Sequence, residues 1–439
     1  MRISPSLYRA LTVLALPLAS FYLMYRSRRA PAYRRFWNER FAWSIFPKRT
    51  EKPRVWIHAV SVGETNAARP LISMILERWP ESDILLTHMT PTGREAGEKL
   101  VKMAPGRIMQ CYLPYDAPYA VEKFFRHTKP TLGVIMETEV WPNVMHEAKR
   151  LGIPMVLANA RESEKSLRKA LKYIDIMRPA FSSFSAILAQ SEADKARLEQ
   201  LGGEHVEVSG SLKFDIAPNR SQEALAQSWK GAIARPIVMF ASTRRGEEAL
   251  FIPGIQAWRE RLGNPLFLMV PRHPERFDEV DALLKDAGLK SVRRSSIEHY
   301  ENFPEDVDVL LGDSMGEMSF YCALSDMVVM GGSFGPYGSQ NVIEPAMAGC
   351  PVIVGPSIFN FETIIQDGKK AGAMIQVETP EAVFPILQNW LDNPERYNDA
   401  SAKAIAFSQA YRGATERIFV VLERLWKASL KRESISQTY

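Results

Sequence analysis

Short apolar runs rich in β-branched and aromatic residues recur at 55–60, 83–87, 107–113, 132–136, 155–158, 186–189 and 206–209, and between them the apolar residues fall at helical spacing. A continuous hydrophobic run suits a strand buried on both faces. Strands that alternate with helices pair in parallel, because a parallel pair needs a crossover long enough to hold one. The alternation therefore predicts a parallel, doubly wound sheet. A polar stretch at 215–228, with Pro218, Asn219, Arg220 and Ser221, interrupts it and reads as a linker. The pattern then starts afresh, with runs at 237–241, 266–270, 307–311, 327–330, 352–354 and 373–377 and a final amphipathic helix over roughly 400–430. A chain of 439 residues exceeds one hydrophobic core, so two α/β domains with a cleft between them are expected. The expected boundaries are an N-terminal arm at 1–49, a first domain at 50–217, a linker at 218–232, a second domain at 233–398 and a C-terminal helix at 399–439.

The net charge of +5 conceals an asymmetry: residues 1–49 carry ten Lys or Arg against Glu39 alone, while the rest holds 45 basic and 49 acidic side chains. The pI of about 8.9 thus reports the arm and not a basic body, which argues against nucleic acid as a partner. Cys111, Cys322 and Cys350 lie far apart and form no Cys-x-x-Cys pair, which fits a reducing compartment and neither a disulfide framework nor a structural zinc site.

Within the arm an apolar run at 10–25, interrupted by Thr12, Pro17 and Ser20, is followed at once by Arg26, Arg28 and Arg29. A membrane anchor is expected. Sixteen helical residues cover about 24 Å, against a hydrocarbon core of about 30 Å, so crossing the bilayer and lying in its interface both stand. Basic residues after the run place the body in the cytoplasm. A cleaved signal peptide is the weaker reading, because Arg-rich sequence stands where a small-residue cleavage site belongs. Tyr33, Phe36, Trp37, Phe41, Trp43 and Phe46 then interleave with Arg34, Arg35, Arg40 and Lys48. That composition suits an anionic headgroup layer, each basic residue contributing about 1 kcal/mol, or a packing arm with a solvated basic face.

Candidate chemistry lies where strands end. Gly63 permits a tight turn after the run at 55–60, and Ala67, Ala68, Leu71, Ile72, Ile75 and Leu76 follow at helical spacing, so Glu64 sits at a helix start beyond the carboxyl end of a strand. For this segment alone the commoner explanation is an acid that complements the helix dipole, worth about 0.3–1 kcal/mol. Met136-Glu-Thr-Glu139 and Ser209-Gly-Ser-Leu-Lys213 close two further strands and put Glu137 and Lys213 on the same rim.

Four turns in the second half have ligand-binding composition. Ser242 and Thr243, before Arg244-Arg245-Gly246-Glu247-Glu248, suit a phosphate or carboxylate; taken alone, a helix cap is the better explanation. Pro271-Arg272-His273-Pro274 fixes an Arg-His pair between prolines. Asp313-Ser-Met315-Gly316-Glu317 opens a helix after a strand. The glycines from Gly331 to Gly338 let the backbone approach a ligand, and Glu344 lies one turn into the next helix, as a sugar-hydroxyl acceptor or a half-buried structural acid. The spacing is neither Gly-x-Gly-x-x-Gly nor a P-loop, which removes support for dinucleotide binding and ATP hydrolysis. Asp306-Val-Asp308 imitates a metal-binding Asp-x-Asp but enters a strand instead of leaving one.

Together these stretches resemble the 3-deoxy-D-manno-octulosonic acid (Kdo) transferases of lipopolysaccharide assembly. The likeness runs through Ala30-Pro-Ala-Tyr-Arg34, Ser61-Val-Gly-Glu64, Met89-Thr-Pro-Thr-Gly93, Tyr112-Leu-Pro-Tyr-Asp116, Met136-Glu-Thr-Glu139, Trp141-Pro-Asn143, Ala158-Asn-Ala-Arg161, Gly210-Ser-Leu-Lys-Phe-Asp215, Val270-Pro-Arg-His-Pro-Glu-Arg-Phe277, Met315-Gly-Glu317 and Gly331-Gly-Ser333. The resemblance implies a GT-B fold of two Rossmann-like domains, with no metal ion or other cofactor. It implies CMP-Kdo as donor in the second domain, a lipid A precursor as acceptor in the first, and a place on the cytoplasmic face of the inner membrane. By the same resemblance Glu64 is the proton acceptor and Glu137 and Lys213 stabilise the transition state. The CMP contacts fall at Pro271 and Arg272, at Met315, Gly316 and Glu317, and at Asn341, Val342, Ile343 and Glu344. Arg244 stands where family members commonly have His, and Ser339-Gln340-Asn341 where they have Gly-His-Asn; both departures flank the donor site.

The chemistry agrees. A sugar hydroxyl is a poor nucleophile near neutral pH, so a carboxylate should take its proton as attack proceeds, and a cation should offset the phosphate charge that develops. Burial would raise the Glu64 pKa and a helix start would lower it. Two other readings stand beside this one: a GT-B transferase using another nucleotide sugar on a lipid or cell-wall acceptor, and a membrane-tethered sugar- or nucleotide-binding protein without turnover.

Overall fold

The structure is a computed structural model and describes residues 4–259 and 265–437. Arg2, one of the ten basic residues of the arm, lies outside them. The chain forms two compact units, Met1–Ile216 with Arg412–Tyr439, and Ala217–Tyr411.

The first unit is built on β1 (Arg54–His58), β2 (Asp83–His88), β3 (Ile108–Tyr112), β4 (Leu132–Met136), β5 (Met155–Ala160), β6 (Ala186–Ala189) and β7 (Val206–Val208). All neighbours are parallel, in the order β3-β2-β1-β4-β5-β6-β7. Every residue of β1 is buried: Val55 and Ile57 pack on one face with Leu71, Ile72 and Ile75, and Trp56 packs on the other with Phe124 and Phe125. Each such side chain contributes about 1.5–3 kcal/mol. The order reverses between β1 and β4, so the segments leaving these two strands diverge and open a crevice at their carboxyl ends.

The second unit repeats the design with β8 (Ile237–Thr243), β9 (Leu266–Pro271), β10 (Ser291–Arg293), β11 (Val309–Leu311), β12 (Met327–Met330), β13 (Val352–Val354) and β14 (Met374–Gln376), all parallel, in the order β10-β11-β9-β8-β12-β13-β14. Its order reverses between β8 and β12. β10 has no counterpart in the sequence reading. It is a half-buried edge strand whose Arg293 pairs with Asp281 (2.9 Å) and Asp278 (2.6 Å), so no apolar run marks it.

Three expectations are corrected. The stretch 218–232 is no linker: Asn219 caps the helix Arg220–Ile233, which buries Ala226 and Trp229, the indole meeting Phe320 edge-on at 5.5 Å. Its polar residues cover the exposed side of a helix of the second unit. The C-terminal helix is two, Pro394–Ala410 and Ala414–Gln437, parted at Gly413 (φ 89°). The second of them packs on the first unit, where Trp426 stacks on Trp79 at 4.6 Å.

The apolar run near the N-terminus is also broken, into the helices Pro5–Leu14 and Leu16–Ser27 with a 47° bend. Pro17 lacks an N–H, and its ring clashes with the carbonyl four residues earlier. Among the described residues no single helix is long and apolar enough to cross a membrane, although the bent pair together has the length and composition. Leu14, Leu18, Phe21 and Met24 are exposed, while Tyr8 donates to Asp116 at 2.8 Å. The arm that follows is partly a packing element. Phe41 and Phe46 are buried, Arg40 lies 3.7 Å from the centre of the Tyr112 ring, and Glu39 bridges Arg94 and the Tyr112 N–H; Trp43 and Ile45 stay exposed.

Candidate active site

β1 ends at His58, and Ser61 caps the helix Val62–Arg78. Glu64, three residues after the cap, folds back: its carboxylate accepts from the Val60 N–H at 2.8 Å and from the Ser61 hydroxyl at 3.0 Å. This resembles a capping box, with the carboxylate taking the N–H of Val60, one residue before the cap, and the Ser61 hydroxyl, so the helix-start role is real. It does not exhaust the residue. Only 9% of Glu64 is exposed, and burial pushes its carboxyl up to about 7 against the Val60 N–H bond, with the Glu137 and Glu139 charges adding to the rise. Burial therefore prevails over the helix start. A carboxyl that titrates near neutrality at a switch point has the properties of a general base.

The turn that carries Glu64 is braced from β2. The His88 ring lies 2.8 Å from the Ala59 carbonyl oxygen, and the Thr90 hydroxyl donates to the Val60 carbonyl at 2.9 Å. A Cβ on Gly93 would lie 2.7 Å from that same carbonyl oxygen, so the Met89-to-Gly93 stretch needs glycine to close on the turn. His58 and His88 are buried, and desolvation lowers them to about 3 and about 4, so both are neutral at physiological pH.

Glu137 follows β4, on the other side of the switch point, with φ 58°. Lys213 pairs with it at 3.5 Å from a 3-10 turn, Leu212–Asp215, whose Leu212 N–H donates to the buried Asn159 side chain at 3.0 Å. Asp215 in turn accepts from the N–H groups of Gly413 (2.7 Å) and Thr415 (2.6 Å), which ties the Lys213 turn to the start of the helix Ala414–Gln437. The structure thus brings together the three residues expected here and adds Glu139, whose carboxyl is raised by burial and by Glu137. The repeat in Glu-Thr-Glu was the signal for it.

In the second unit, β8 ends in Ser242 (φ 54°) and Thr243, and the loop after β12 passes against them: a Cβ on Gly331 would lie 2.6 Å from the Ser242 carbonyl oxygen. Glu247 holds the two segments together, accepting from the N–H groups of Arg244 (2.7 Å), Gly332 (2.7 Å) and Phe334 (2.9 Å). The Thr243 side chain is a correction to the expected anion site. It is fully buried and donates to Glu248 at 2.6 Å, and Glu248 also takes both arms of Arg276. Ser242 is half-buried.

The other expected donor contacts surround the same switch point. Pro271 is buried at the end of β9, and exposed Arg272 donates its N–H to the Thr243 carbonyl at 3.0 Å. Asn341 donates to Glu344 at 2.8 Å; burial raises the Glu344 carboxyl, while Asn341 and Arg272 pull it down. Val342 and Ile343 have fully buried side chains and offer only backbone to a ligand. Met315 and Gly316 (φ 83°) are exposed, and Glu317 is held by Ser314 and by Arg294 at 3.3 Å. Asp306 and Asp308 are structural, paired with Lys290 and Arg259. Among the described residues no three His, Cys, Asp or Glu side chains are grouped to hold a metal ion.

Residues 35–216 match the family described as 3-Deoxy-D-manno-octulosonic-acid transferase (kdotransferase). The 3-deoxy-D-manno-octulosonic acid transferase of Bordetella pertussis is 45% identical over 374 residues, covering 84% of this chain and 86% of its own length. The chain belongs to the Kdo transferase family. The Haemophilus influenzae member is 33% identical over 95% of this chain and 97% of its own. The crystal structure of UDP-GlcNAc 2-epimerase from Neisseria meningitidis bound to UDP-GlcNAc is 13% identical and covers 84% of this chain and 100% of its own, with a TM-score of 0.58; it shares the fold alone. At the two positions that depart from the expected family motif, Arg244 packs on the Tyr337 ring at 4.7 Å and Gln340 donates to the Ser339 carbonyl at 3.1 Å.

Proposed function

We propose that this glycosyltransferase moves Kdo from CMP-Kdo to a hydroxyl of a lipid A precursor, with inversion and with Glu64 as general base. The observation that carries the reading is the Glu64 carboxyl, held at a switch point with its pKa pushed up to about 7 and with the Glu137–Lys213 pair on the adjoining strand end. In the proposed step the acceptor oxygen forms a bond to the anomeric carbon as that carbon's bond to the phosphate oxygen breaks. CMP leaves with the electron pair, and the hydroxyl proton passes to Glu64. Lys213 and backbone N–H groups offset charge that develops in the transition state, and no metal ion enters the scheme. The donor is assigned to the second unit, at the ends of β8, β9, β11 and β12. The names of the relatives, at 45% and 33% identity, support Kdo as the transferred sugar.

We place the enzyme on the cytoplasmic face of the inner membrane. Support comes from the exposed apolar residues of the bent helix pair and from the exposed Arg28, Arg29, Arg34 and Arg35 beside them. Incubating the purified protein with CMP-Kdo and a tetraacyl lipid A precursor, then weighing the products, tests the function. A mass gain of one or more Kdo residues with release of CMP is expected. Release of another nucleotide from its own sugar donor, with CMP-Kdo left intact, would refute the assignment.

A further inference from the structure

Arg244 is the first residue after β8 and lies at the reversal point of the second sheet. It is held on three sides. Its N–H is bonded to Glu247 at 2.7 Å, its guanidinium donates to His273 Nε2 at 2.5 Å, and its flat face packs on Tyr337 with Cζ 4.7 Å from the ring centre. None of these side-chain contacts neutralises it: no carboxylate forms an ion pair with its guanidinium among the described residues. Other arginines of this unit differ. Arg276 is paired with Glu248 and Glu279, and Arg294 with Glu317. The neighbouring cation is Arg272, whose own N–H bonds to the Thr243 carbonyl, so the ends of β8 and β9 bring two arginines to one crevice. His273 is half-buried, desolvation and then Arg244 lower its pKa, and its Nε2 accepts from the guanidinium and orients it.

A guanidinium has five N–H donors in a rigid fork, and one bond to His273 leaves a bidentate edge for an oxyanion. We infer that Arg244 is a specificity-determining residue of this chain's donor site, gripping an anionic group of the sugar nucleotide through that edge. The inference rests on the assignment of the second unit to CMP-Kdo. That donor offers two oxyanions, the nucleotide phosphate and the sugar carboxylate, and Arg244 recognises the chemistry they share.

The test is calorimetric titration of the full-length protein with CMP and with CMP-Kdo, for the parent, Arg244→Gln, Arg244→Lys and the exposed neighbour Arg245→Gln. Arg244→Gln should weaken CMP-Kdo at least about tenfold, close to 1.4 kcal/mol. Arg244→Lys, which keeps charge but not the fork, should fall between, and Arg245→Gln should match the parent. Loss of CMP-Kdo affinity alone identifies the sugar carboxylate as the group held; equal loss for CMP identifies the phosphate. A folded Arg244→Gln or Arg244→Lys that binds CMP-Kdo as the parent does would overturn the inference and leave the donor assignment standing. A parent that binds neither nucleotide would overturn both.

Discussion

Replacing Glu64 by Gln separates the two roles that the structure gives this residue. The amide is nearly isosteric. Its oxygen can keep the Val60 N–H bond of 2.8 Å, and the Ser61 hydroxyl, now 3.0 Å from a carboxylate oxygen, can turn to accept from the new NH₂. Both bonds persist as neutral ones, as they would on a protonated Glu64. The charge itself has a cost. Raising the carboxyl from 4.5 to about 7 means that ionising Glu64 in the folded protein is disfavoured by about 3 kcal/mol. Because the folded pKa lies above the unfolded one, this contribution favours the fold at low pH and is lost as pH rises from about 4.5 through about 7.

Glu64→Gln should therefore be more stable than the parent by about 3 kcal/mol at pH 8, with the advantage falling below about 1 kcal/mol near pH 5. Activity should move the other way. Loss of a general base costs about 10²–10⁴-fold, or about 3–5 kcal/mol of barrier. CMP release at saturating CMP-Kdo, followed from pH 5 to 9, should rise through about pH 7 in the parent and lie low and flat in the variant, with donor affinity unchanged. A variant within threefold of the parent, or one that keeps the acid limb, would remove Glu64 as the base.

Gly93→Ala puts a Cβ 2.7 Å from the Val60 carbonyl; it should cost about 1–3 kcal/mol in a thermal melt and lower turnover by displacing the Glu64 turn, without changing donor affinity. Asp215→Ala removes the acceptor of the Gly413 and Thr415 N–H groups. Melting should report a loss of about 1–2 kcal/mol, and turnover should fall with it because Lys213 sits on the same turn. Glu248→Ala leaves Arg276 charged and buried without its bidentate partner, a loss of about 3–5 kcal/mol in urea unfolding; a change below 1 kcal/mol would show that Arg276 finds another acceptor.

Thirteen of the fourteen strands among the described residues were legible in the sequence because each carries a short apolar run, and most of these runs are buried on both faces. β10 escaped for the complementary reason: a half-buried edge strand tolerates arginine and serine. The helix Arg220–Ile233 escaped because only Ala226 and Trp229 need burial in it, and a polar stretch opened by proline and asparagine reads equally as a linker. Ser61, Gly63 and Glu64 were legible as a helix start, since a cap and its reply lie three residues apart.

Glu64, Glu137 and Lys213 were readable as residues at strand ends, and the family motifs named them, all from short stretches of chain. Tertiary structure alone decided that Glu64 titrates near 7. That value depends on desolvation and on carboxylates brought beside it from the end of β4, and it is sheet order, with β1 next to β4, that makes residues more than seventy positions apart neighbours. The same holds for Thr243, whose hydroxyl suits an anion or a helix cap by sequence but is enclosed by Glu248 and Arg276, and for the last helix, which the stacking of Trp426 on Trp79 returns to the first unit. Local sequence encodes periodicity and turn chemistry; charge, burial and partnership are properties of the packed interior, and they decide what the encoded groups can do.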